Sequence, residues 1–363
     1  MAIPLTDVRA QYAPLLDELK DRIAGVLDSG RFILGPEVKA FEEETARFLG
    51  AGNAVGVANG TDALVIVLDA LGVGPGDEVI CPSFSFYATA ESIARRGATP
   101  VFADIDPATL NLDAADVAVK MTERTKAILP VHLFGRPCDP VVLPDGVPVV
   151  EDAAQAFGAT VGDRRAGSLA AAATFSFYPT KNLFGLGDGG LVTTPDSELA
   201  DRIRLLRFHG SRDKQTFDAV GYNSRLDELQ AAALRIFLRH VDEWNEARRG
   251  AAARYAELGL GEVCELPADE PGHVYHMYVV RTDERERLTA ALDQAGIGWA
   301  AYYTTPLHLQ PALAQLGYDQ GSLPETERAA RETLALPIWP AISRDQQERV
   351  VECLRAASTV KAA

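Results

Sequence analysis

The chain contains 363 residues, of which 47% are hydrophobic and 24% charged, and its formal net charge is −16. A chain of this length exceeds one compact unit, so we expect one large domain and a second, smaller one. The excess of acidic residues disfavours nucleic acid or an anionic membrane as a partner, because both would be repelled.

No apolar stretch approaches the roughly 18 residues that a membrane-spanning helix needs. The N-terminus also lacks the basic start and apolar run of a signal peptide. The cysteines lie far apart and form no CxxC pair, which favours reduced thiols over a disulfide or zinc framework: Cys81, Cys138, Cys264 and Cys353. We therefore expect a cytoplasmic protein without a metal site.

Short apolar runs alternate with helical patterns through the first two thirds of the chain. The predicted strands cover 54–58, 78–82, 100–104, 126–132, 147–152, 174–178 and 191–194. The helical patterns between them cover 63–71, 88–95 and 114–120. This spacing predicts an α/β fold whose large domain contains a mostly parallel sheet of the seven-stranded type, flanked by helices.

The pattern changes after residue 224. Two long helices are predicted first, and a smaller α+β domain follows them. The predicted segments are helices 225–239 and 241–258, the alternating run 273–281, helix 284–295, the short run 298–303 and helix 344–356. We place the large domain at 1–240 and the small C-terminal domain at 241–363. Residues 304–335, with several prolines and glycines, are predicted to form a structured loop.

The first candidate site is Asn59-Gly60-Thr61-Asp62, which follows a predicted strand and opens a predicted helix. Gly60 permits a tight turn, and Thr61 or Asp62 can cap the helix. Free backbone N–H groups there, together with the helix dipole, are typical of a phosphate-binding site. An ordinary capped turn explains the same residues, so both interpretations stay open.

The second candidate is Asp152, at the carboxyl end of a very apolar predicted strand. Ligands of open α/β sheets bind beyond such strand ends. A carboxylate placed against a pyridine nitrogen keeps that nitrogen protonated and makes the ring a better electron sink. The alternative is a helix-capping aspartate.

The third candidate is Lys181, which lies between a predicted strand and a glycine-rich turn, among aromatic, hydroxyl and small residues. A lysine in such surroundings can lose its proton and form a Schiff base with a carbonyl. Ser176 and Thr180 can add hydroxyl groups near a phosphate. A buried structural lysine is the alternative, but it is costly without a partner. The other lysines occupy polar, helical or terminal positions: Lys20, Lys39, Lys120, Lys126, Lys214 and Lys361.

Two weaker signals flank these residues. Phe86 follows a predicted strand and can stack on a flat heterocycle, although a core aromatic is equally consistent with its position. The glycine-rich turn 185–190 has the wrong spacing for a dinucleotide fingerprint and precedes a strand. We interpret it as a place of close backbone approach.

Asp152, Gln155, Ser176 and Lys181, in this order after Gly60-Thr61-Asp62, resemble the fold-type I enzymes that bind pyridoxal 5'-phosphate (PLP). Over nearly its whole length the chain resembles the DegT/StrS-type nucleotide-sugar aminotransferases. This resemblance implies an aspartate aminotransferase-like fold. The matching stretches are 32–36, 60–63, 76–80, 82–90, 130–135, 151–156, 175–182, 187–190, 221–227 and 306–311.

The resemblance implies a role for each matching residue. Lys181 would bind the cofactor covalently and then move the substrate proton, while Asp152 would pair with the pyridine nitrogen. The remaining cofactor contacts would be Gln155 at the ring hydroxyl, Phe86 on the ring face, and Gly60, Thr61, Asp62 and Ser176 at the phosphate. Asn223 would reach the phosphate of a neighbouring subunit's cofactor, which implies a homodimer with shared active sites. Tyr178 and His308 would contact the sugar.

The implied reaction moves an amino group from L-glutamate, which leaves as 2-oxoglutarate, to a keto group of a nucleotide-linked deoxy sugar. Some relatives replace the lysine by histidine and remove a hydroxyl group instead, and the presence of Lys181 argues against that chemistry. The stretch 210–230 resembles that of members acting at carbon 3 more than that of members acting at carbon 4. The sequence does not distinguish dTDP, UDP and GDP as the nucleotide. Candidate diphosphate contacts are Arg212, Lys214 and Arg225, with solvated surface cations as the alternative.

Several other functions stay open or are excluded at this point. The same chemistry at carbon 4 of the sugar, or on a cyclitol ketone, stays open. A non-catalytic PLP-binding regulator would need an attached DNA-binding domain, and no segment is basic enough to be one. A nicotinamide dehydrogenase is excluded because the glycine spacing is wrong.

Overall fold

The computed structural model describes residues 2–359, which begin with three helices before the first strand. They are α1 (Val8–Tyr12), α2 (Leu16–Ser29) and α3 (Pro36–Leu49). Helix α3 begins at a proline, whose fixed φ suits the first helical position, and ends before the left-handed Gly50. The buried Glu228 carboxylate accepts hydrogen bonds from the backbone N–H groups of Gly35, Glu37 and Val38, each at 2.9 Å. These N–H groups at the start of α3 have no acceptor within the helix, so Glu228 caps it.

The next elements alternate strands with helices, as the sequence predicts. They are β1 (Asn53–Val57), α4 (Gly60–Ala70), β2 (Glu78–Pro82), α5 (Ala88–Arg95), β3 (Thr99–Ala103), α6 (Ala114–Lys120), β4 (Thr125–Ile128), β5 (Val150–Asp152), the hairpin of β6 (Thr160–Val161) and β7 (Arg164–Arg165), β8 (Ala172–Ser176), β9 (Gly190–Thr194) and α7 (Ser197–Leu206). The α/β class is therefore confirmed.

The larger strands lie side by side in two sheets that join. One sheet has the order β1-β9-β8-β5 and the other the order β3-β2-β4. Parallel bridges from Ile128 to Val149 and from Val131 to Asp152 connect β4 with β5. Strand β9 is antiparallel to both β1 and β8, whereas β5 and β8 and the strands of the second sheet pair in parallel. The carboxyl ends of β2, β4, β5 and β8 therefore meet at one edge.

Helix α4 is buried along almost its whole length, because apolar residues cover nearly every face. It packs against β8, β9, α5 and α7, so it lies between the sheet and an outer helix layer. This packing fixes the position of its N-terminus beside the end of β8.

The C-terminal part of the chain contains α8 (Glu228–Leu238), α9 (Val241–Glu257), β10 (Tyr278–Arg281), α10 (Arg285–Ala295), α11 (Pro324–Glu332), β11 (Thr333–Leu336) and α12 (Arg344–Thr359). Strands β10 and β11 form an antiparallel pair. A separate apolar cluster surrounds this pair and includes side chains of α9, α10 and α12. The division into domains at residues 240 and 241 stays a prediction.

One sequence prediction was wrong in this region. Residues 304–335 are not only loop, because they contain α11 and most of β11. The short run 298–303 contributes one bridge, between Ala300 and Ala335. Of the alternating run 273–281, the part from Tyr278 onward forms strand β10. Within residues 2–359, no helix combines the length and the apolar character needed to cross a bilayer.

Candidate active site

A cavity of about 720 Å³ opens where the carboxyl ends of β5 and β8 meet the start of α4. Open α/β sheets bind their ligands at such an edge. Asp152 ends β5, Ser176 ends β8 and Gly60 begins α4, so the fold brings these three distant residues together. The predicted site residues that line the cavity are Gly60, Thr61, Asp62, Phe86, Asp152, Gln155, Ser176, Tyr178 and Lys181.

The start of α4 forms one end of the cavity. The Asn59 side chain caps the helix by accepting a hydrogen bond from the Asp62 amide at 2.8 Å. The amides of Gly60 and Thr61, in the first turn, have no intrahelical acceptor and remain available to a ligand anion. A Cβ at Gly60 would lie 2.7 Å from the Cβ of Ser176, so glycine alone lets the Ser176 hydroxyl approach this close to the helix start.

The glycine-rich turn supports the same end of the cavity. A Cβ at Gly190 would lie 2.3 Å from the carbonyl oxygen of Asn59, so β9 can begin here only with glycine. The Phe177 amide donates a hydrogen bond to the Gly189 carbonyl at 2.8 Å. The turn is therefore a place of close backbone approach, as its spacing predicts.

Asp152 is buried and hydrogen-bonded on both carboxylate oxygens. Oδ2 accepts from the Thr89 hydroxyl at 2.9 Å, and Oδ1 accepts from the Ala154 amide at 3.3 Å. Burial raises the pKa of Asp152, and these hydrogen bonds and the nearby Lys181 ammonium oppose that rise. The carboxylate is thus held in a fixed orientation at the cavity wall.

Lys181 is half-buried and lines the same cavity. Burial lowers its pKa from 10.5 to about 8, although the charge of Asp152 favours the ammonium form. Its backbone N–H donates to the Tyr178 carbonyl at 2.9 Å, which closes a turn directly after β8. A substantial fraction of the amine is therefore neutral, and nucleophilic, slightly above neutral pH.

Gln155 is fixed by two hydrogen bonds. Oε1 accepts from the Phe134 amide at 2.6 Å, and Nε2 donates to the Tyr303 hydroxyl at 3.1 Å. One N–H of the amide group remains for a ligand. Phe86 is 60% exposed, and its ring lies 6.4 Å from that of Tyr303, so one aromatic face is open at the cavity mouth.

The structure adds residues that the sequence analysis did not select. Tyr302, Tyr303 and His276 line the cavity, and Thr89 holds Asp152. These side chains come from α5 and from the C-terminal part of the chain, far in sequence from Lys181. No local motif marks them, so only the tertiary structure identifies them.

His308 does not reach the cavity. It is 2% exposed, its Nδ1 lies 2.7 Å from the Ser83 hydroxyl, and its Nε2 lies 3.3 Å from a Glu327 carboxylate oxygen. Its backbone N–H also donates to the Ser83 hydroxyl at 3.0 Å. His308 was predicted to contact the sugar. In this structure it instead fastens the loop after Tyr303 to Ser83 and Glu327.

The predicted diphosphate contacts also lie outside the cavity of their own chain. Lys214 and Arg225 approach the ring of Phe208 at 5.1 and 5.9 Å, and Arg225 donates a hydrogen bond to the exposed Asn223. Arg212 is exposed on the same segment of the chain. These residues can therefore serve an active site only if a second subunit supplies it.

The profile of the DegT/DnrJ/EryC1/StrS aminotransferase family matches residues 15–355. The chain belongs to this family. It is therefore a PLP-dependent sugar aminotransferase, and nine of the site residues inferred from sequence line one cavity.

Three relatives align with the DegT-family chain over almost its full length. A pleiotropic regulatory protein of Geobacillus stearothermophilus is 48% identical over 97% of each chain. The dTDP-3-amino-3,4,6-trideoxy-alpha-D-glucose transaminase of Streptomyces venezuelae is 46% identical over 97% of this chain and 95% of its own. The UDP-N-acetyl-3-dehydro-alpha-D-glucosamine 3-aminotransferase of Acidithiobacillus ferrooxidans is 43% identical over 98% of this chain and 97% of its own.

Solved structures of DegT-family members show the same fold. Streptomyces venezuelae DesV in complex with a ketimine intermediate superposes with a TM-score of 0.95 at 46% identity, covering 98% of both chains. Bacillus subtilis NtdA with bound cofactor PMP gives a TM-score of 0.88 at 32% identity, covering 95% of this chain and 82% of its own.

The cavity fits PLP at three points. Free amides at the start of α4, beside the Ser176 hydroxyl, match a phosphate group. Asp152 is a buried carboxylate suited to a ring nitrogen, and Lys181 is an amine of lowered pKa suited to an aldehyde. These donors and acceptors lie in one cavity, so the DegT-family chain has the groups that the cofactor requires.

Proposed function

We propose that this enzyme moves the amino group of L-glutamate to a keto group at carbon 3 of a dTDP- or UDP-linked deoxy sugar. The observation that carries the proposal is the pairing of Lys181 and Asp152 across one cavity, each of which changes the pKa of the other. An amine that exchanges its proton near neutral pH and a fixed carboxylate are what a transamination site requires.

Each residue of the cavity has a separate role in the proposed reaction. The bound cofactor supplies an electron sink for the bond that is broken. Asp152 would hold a proton on the ring nitrogen, and Gln155 would donate a hydrogen bond to the ring hydroxyl. Phe86 would cover one ring face and exclude water. The Nζ atom of Lys181 would take the proton from the substrate carbon and deliver it to the cofactor on the same face.

The phosphate of the cofactor would be held by the amides of Gly60 and Thr61 and by the Ser176 hydroxyl, at the predicted phosphate end that also includes Asp62, whose own amide donates to Asn59. Backbone N–H groups and the helix dipole stabilise such a dianion without the need for a lysine or arginine. This arrangement leaves Lys181 free for chemistry.

We further propose a homodimer in which each subunit completes the other's site. Asn223 would reach the neighbour's phosphate, and Arg212, Lys214 and Arg225 would contact the diphosphate of its substrate. Support comes from exposed apolar side chains on the same segment, since Val220 is 96% exposed and Phe217 is 59% exposed. Two large apolar side chains this exposed and three residues apart on one segment are consistent with burial at an interface. Tyr178, which is 54% exposed at the cavity mouth, would contact the sugar.

The choice of carbon 3 rests on what the relatives act on. The Streptomyces and Acidithiobacillus enzymes are both named for amino transfer at that carbon, one on a dTDP sugar and the other on a UDP sugar. The alternatives are carbon 4 of the sugar and a cyclitol ketone. A non-catalytic regulator is a further alternative, because the Geobacillus relative carries a regulatory name.

A substrate panel tests this proposal directly. The PLP-loaded enzyme is incubated with nitrogen-15-labelled L-glutamate and, in separate reactions, with dTDP- and UDP-linked 3-keto and 4-keto sugars and a keto-inositol. Mass spectrometry then detects transfer of the label, and Lys181→Ala serves as the inactive control. Label in the 3-keto sugar products supports the proposal. Label only in the 4-keto or cyclitol products contradicts carbon 3, and label in none contradicts transfer from glutamate.

A further inference from the structure

His276 is a buried histidine in the cavity wall that the proposed mechanism does not use. It is 5% exposed, and neither of its ring nitrogens has a hydrogen-bond partner among the residues that the structure describes. Leaving a buried polar group unsatisfied is costly, so such groups are rare unless they serve a ligand or a reacting group. His276 is therefore available to a group that enters or moves within the cavity.

Burial and the surrounding charges favour the neutral form of the His276 ring. Burial lowers the pKa of His276 well below its ordinary value, and the positive charges of Lys181 and Arg248 lower it further. Other titratable groups in this cavity are Asp152, whose charge acts on Lys181, and the hydroxyl groups of Tyr302 and Tyr303, whose pKa values are raised by burial. A neutral imidazole carries one N–H and one lone pair, so it can accept a hydrogen bond from an ammonium group.

Helix α9 fastens the segment that presents His276. Arg248 is fully buried, has no carboxylate partner in the described part of the chain, and donates to the backbone carbonyls of Tyr275 and His276 at 3.3 and 3.5 Å. On the other side of the segment, a Cβ at Gly135 would lie 2.8 Å from the His276 amide nitrogen. The backbone of His276 is thus held closely from both directions.

The same helix also fastens the chain beside Lys181. Asn182, the next residue, donates from Nδ2 to the Asn245 side chain at 2.7 Å and to the Val274 carbonyl at 2.9 Å. Asn245 and Arg248 lie one turn apart on α9. One rigid element therefore sets the distance between the lysine turn and the histidine segment.

We propose that His276 is a positioning residue that accepts a hydrogen bond from the Nζ atom of Lys181 when this amine, after its release from the cofactor, turns toward the histidine. This proposal rests on the proposed function, in which Lys181 binds the cofactor. The hydrogen bond would hold the free amine at the cavity wall, in place to return to the cofactor, and would stabilise its ammonium form. No covalent step passes through His276.

The test measures the pKa of Lys181 in the enzyme loaded with pyridoxamine 5'-phosphate, in which the amine is free. Acetic anhydride in trace amounts modifies amines at a rate that follows their neutral fraction, and peptide mapping reports the modification of Lys181 at each pH. Because a hydrogen bond to a charged group is strong, His276→Phe should lower the pKa of Lys181 by about one. His276→Asn, which restores a hydrogen-bond acceptor, should return it toward the wild-type value.

A matched control uses the neighbouring His273, which does not line this cavity and whose Nδ1 accepts from the Tyr275 amide at 2.9 Å. His273→Asn keeps an acceptor there and should leave the pKa of Lys181 unchanged. If the Phe variant does not fold, His276→Ala titrated with and without added imidazole replaces it, and imidazole should raise the pKa of Lys181.

A Lys181 pKa that is the same in wild type and in folded His276→Phe or His276→Ala would overturn the proposal. If the KM for the sugar is raised in the same variant, His276 is assigned to substrate binding instead. Borohydride reduction of the PLP form distinguishes a failure of the proposed function from a failure of the role proposed for His276. Failure to label Lys181 contradicts the proposed function, whereas labelling with an unchanged pKa contradicts only the role of His276.

Discussion

The hydroxyl group of Thr89 donates a hydrogen bond to the Oδ2 atom of Asp152 at 2.9 Å, inside a buried region of the cavity wall. The single hydroxyl proton of Thr89 is used in this bond, so the Ser85 hydroxyl, 2.9 Å away, donates to Thr89 in turn. Two hydroxyl groups at and before the start of α5 therefore stabilise the charged form of a carboxylate that burial would otherwise neutralise.

Thr89→Val should weaken catalysis at low pH. The substitution removes the hydroxyl without a large change in volume, and hydrogen bonds to charged groups contribute about 1.5–3 kcal/mol. The pKa of Asp152 should then rise by about one or more, so the carboxylate protonates as the pH falls and no longer holds the ring nitrogen protonated. We expect the acid limb of the kcat profile to move to higher pH by that amount. Thr89→Ser should retain the wild-type profile, and an unmoved limb in the Val variant would contradict this role.

Covalent capture of PLP by the unloaded protein should depend on pH through Lys181. Its pKa is lowered to about 8, so the neutral amine is scarce below that value and predominates above it. The capture rate should rise about tenfold per pH unit up to pH 8 and then level off. Stopped-flow absorbance at the band of the lysine-bound cofactor measures this rate. Lys181→Ala should show no such band and no turnover, and full activity in that variant would refute the mechanism.

The sequence was sufficient to predict the strands that build the active-site edge. Asp152 ends both the predicted strand 147–152 and the shorter β5, and β8 overlaps the predicted run 174–178 but ends at Ser176. Long-range pairing is not needed to recognise a short apolar run followed by polar residues. The order of the strands could not be predicted in the same way. Strand β9 pairs with β1, which precedes it by more than 130 residues, and nothing local specifies that partner.

Helix α11 shows why part of the C-terminal region was missed. Its buried face consists of Thr326, Glu327, Ala329 and Ala330, so no stripe of large apolar side chains marks the helix in sequence. The amides of Glu325 and Thr326 donate to the Asp104 carboxylate at 3.0 and 2.7 Å. This cap comes from more than 200 residues away, and a sequence motif cannot reveal it.

The site residues divide in the same manner. Lys181 stands out because its neighbours in sequence are unusual for a lysine. Tyr303 and His276 carry no such local signal, since their importance arises from contact with Gln155 and from proximity to Lys181. The misplacement of His308 has the same cause, because a histidine that fastens a loop and one that binds substrate look alike in sequence.

Gly60→Ala should disturb the phosphate end of the cavity. The added methyl group would lie 2.7 Å from the Cβ of Ser176, so either α4 or the end of β8 must shift. Such overpacking typically costs about 1–3 kcal/mol. We expect a lower Tm and weaker PLP binding, measured by thermal denaturation and fluorescence titration. Gly25→Ala in α2 is the matched control, because no atom lies within 4 Å of its Cβ, and it should raise stability by about 0.5–1 kcal/mol.

Mixing two inactive variants should restore activity if active sites are shared between subunits. Lys181→Ala removes the catalytic amine, and Asn223→Ala removes the contact proposed for the neighbour's phosphate. In a mixed dimer, one site combines an intact Lys181 with an intact Asn223 from the other chain, whereas the second site has neither. Random exchange of subunits makes about half of the dimers mixed, and one of the two sites in each mixed dimer is intact. About a quarter of all sites are then intact, so activity should reach about a quarter of wild type. Each variant is purified separately, partly unfolded and refolded with the other, and assayed for label transfer from glutamate. A mixture no more active than its two components would contradict sharing, because Asn223 would then serve only its own chain or none.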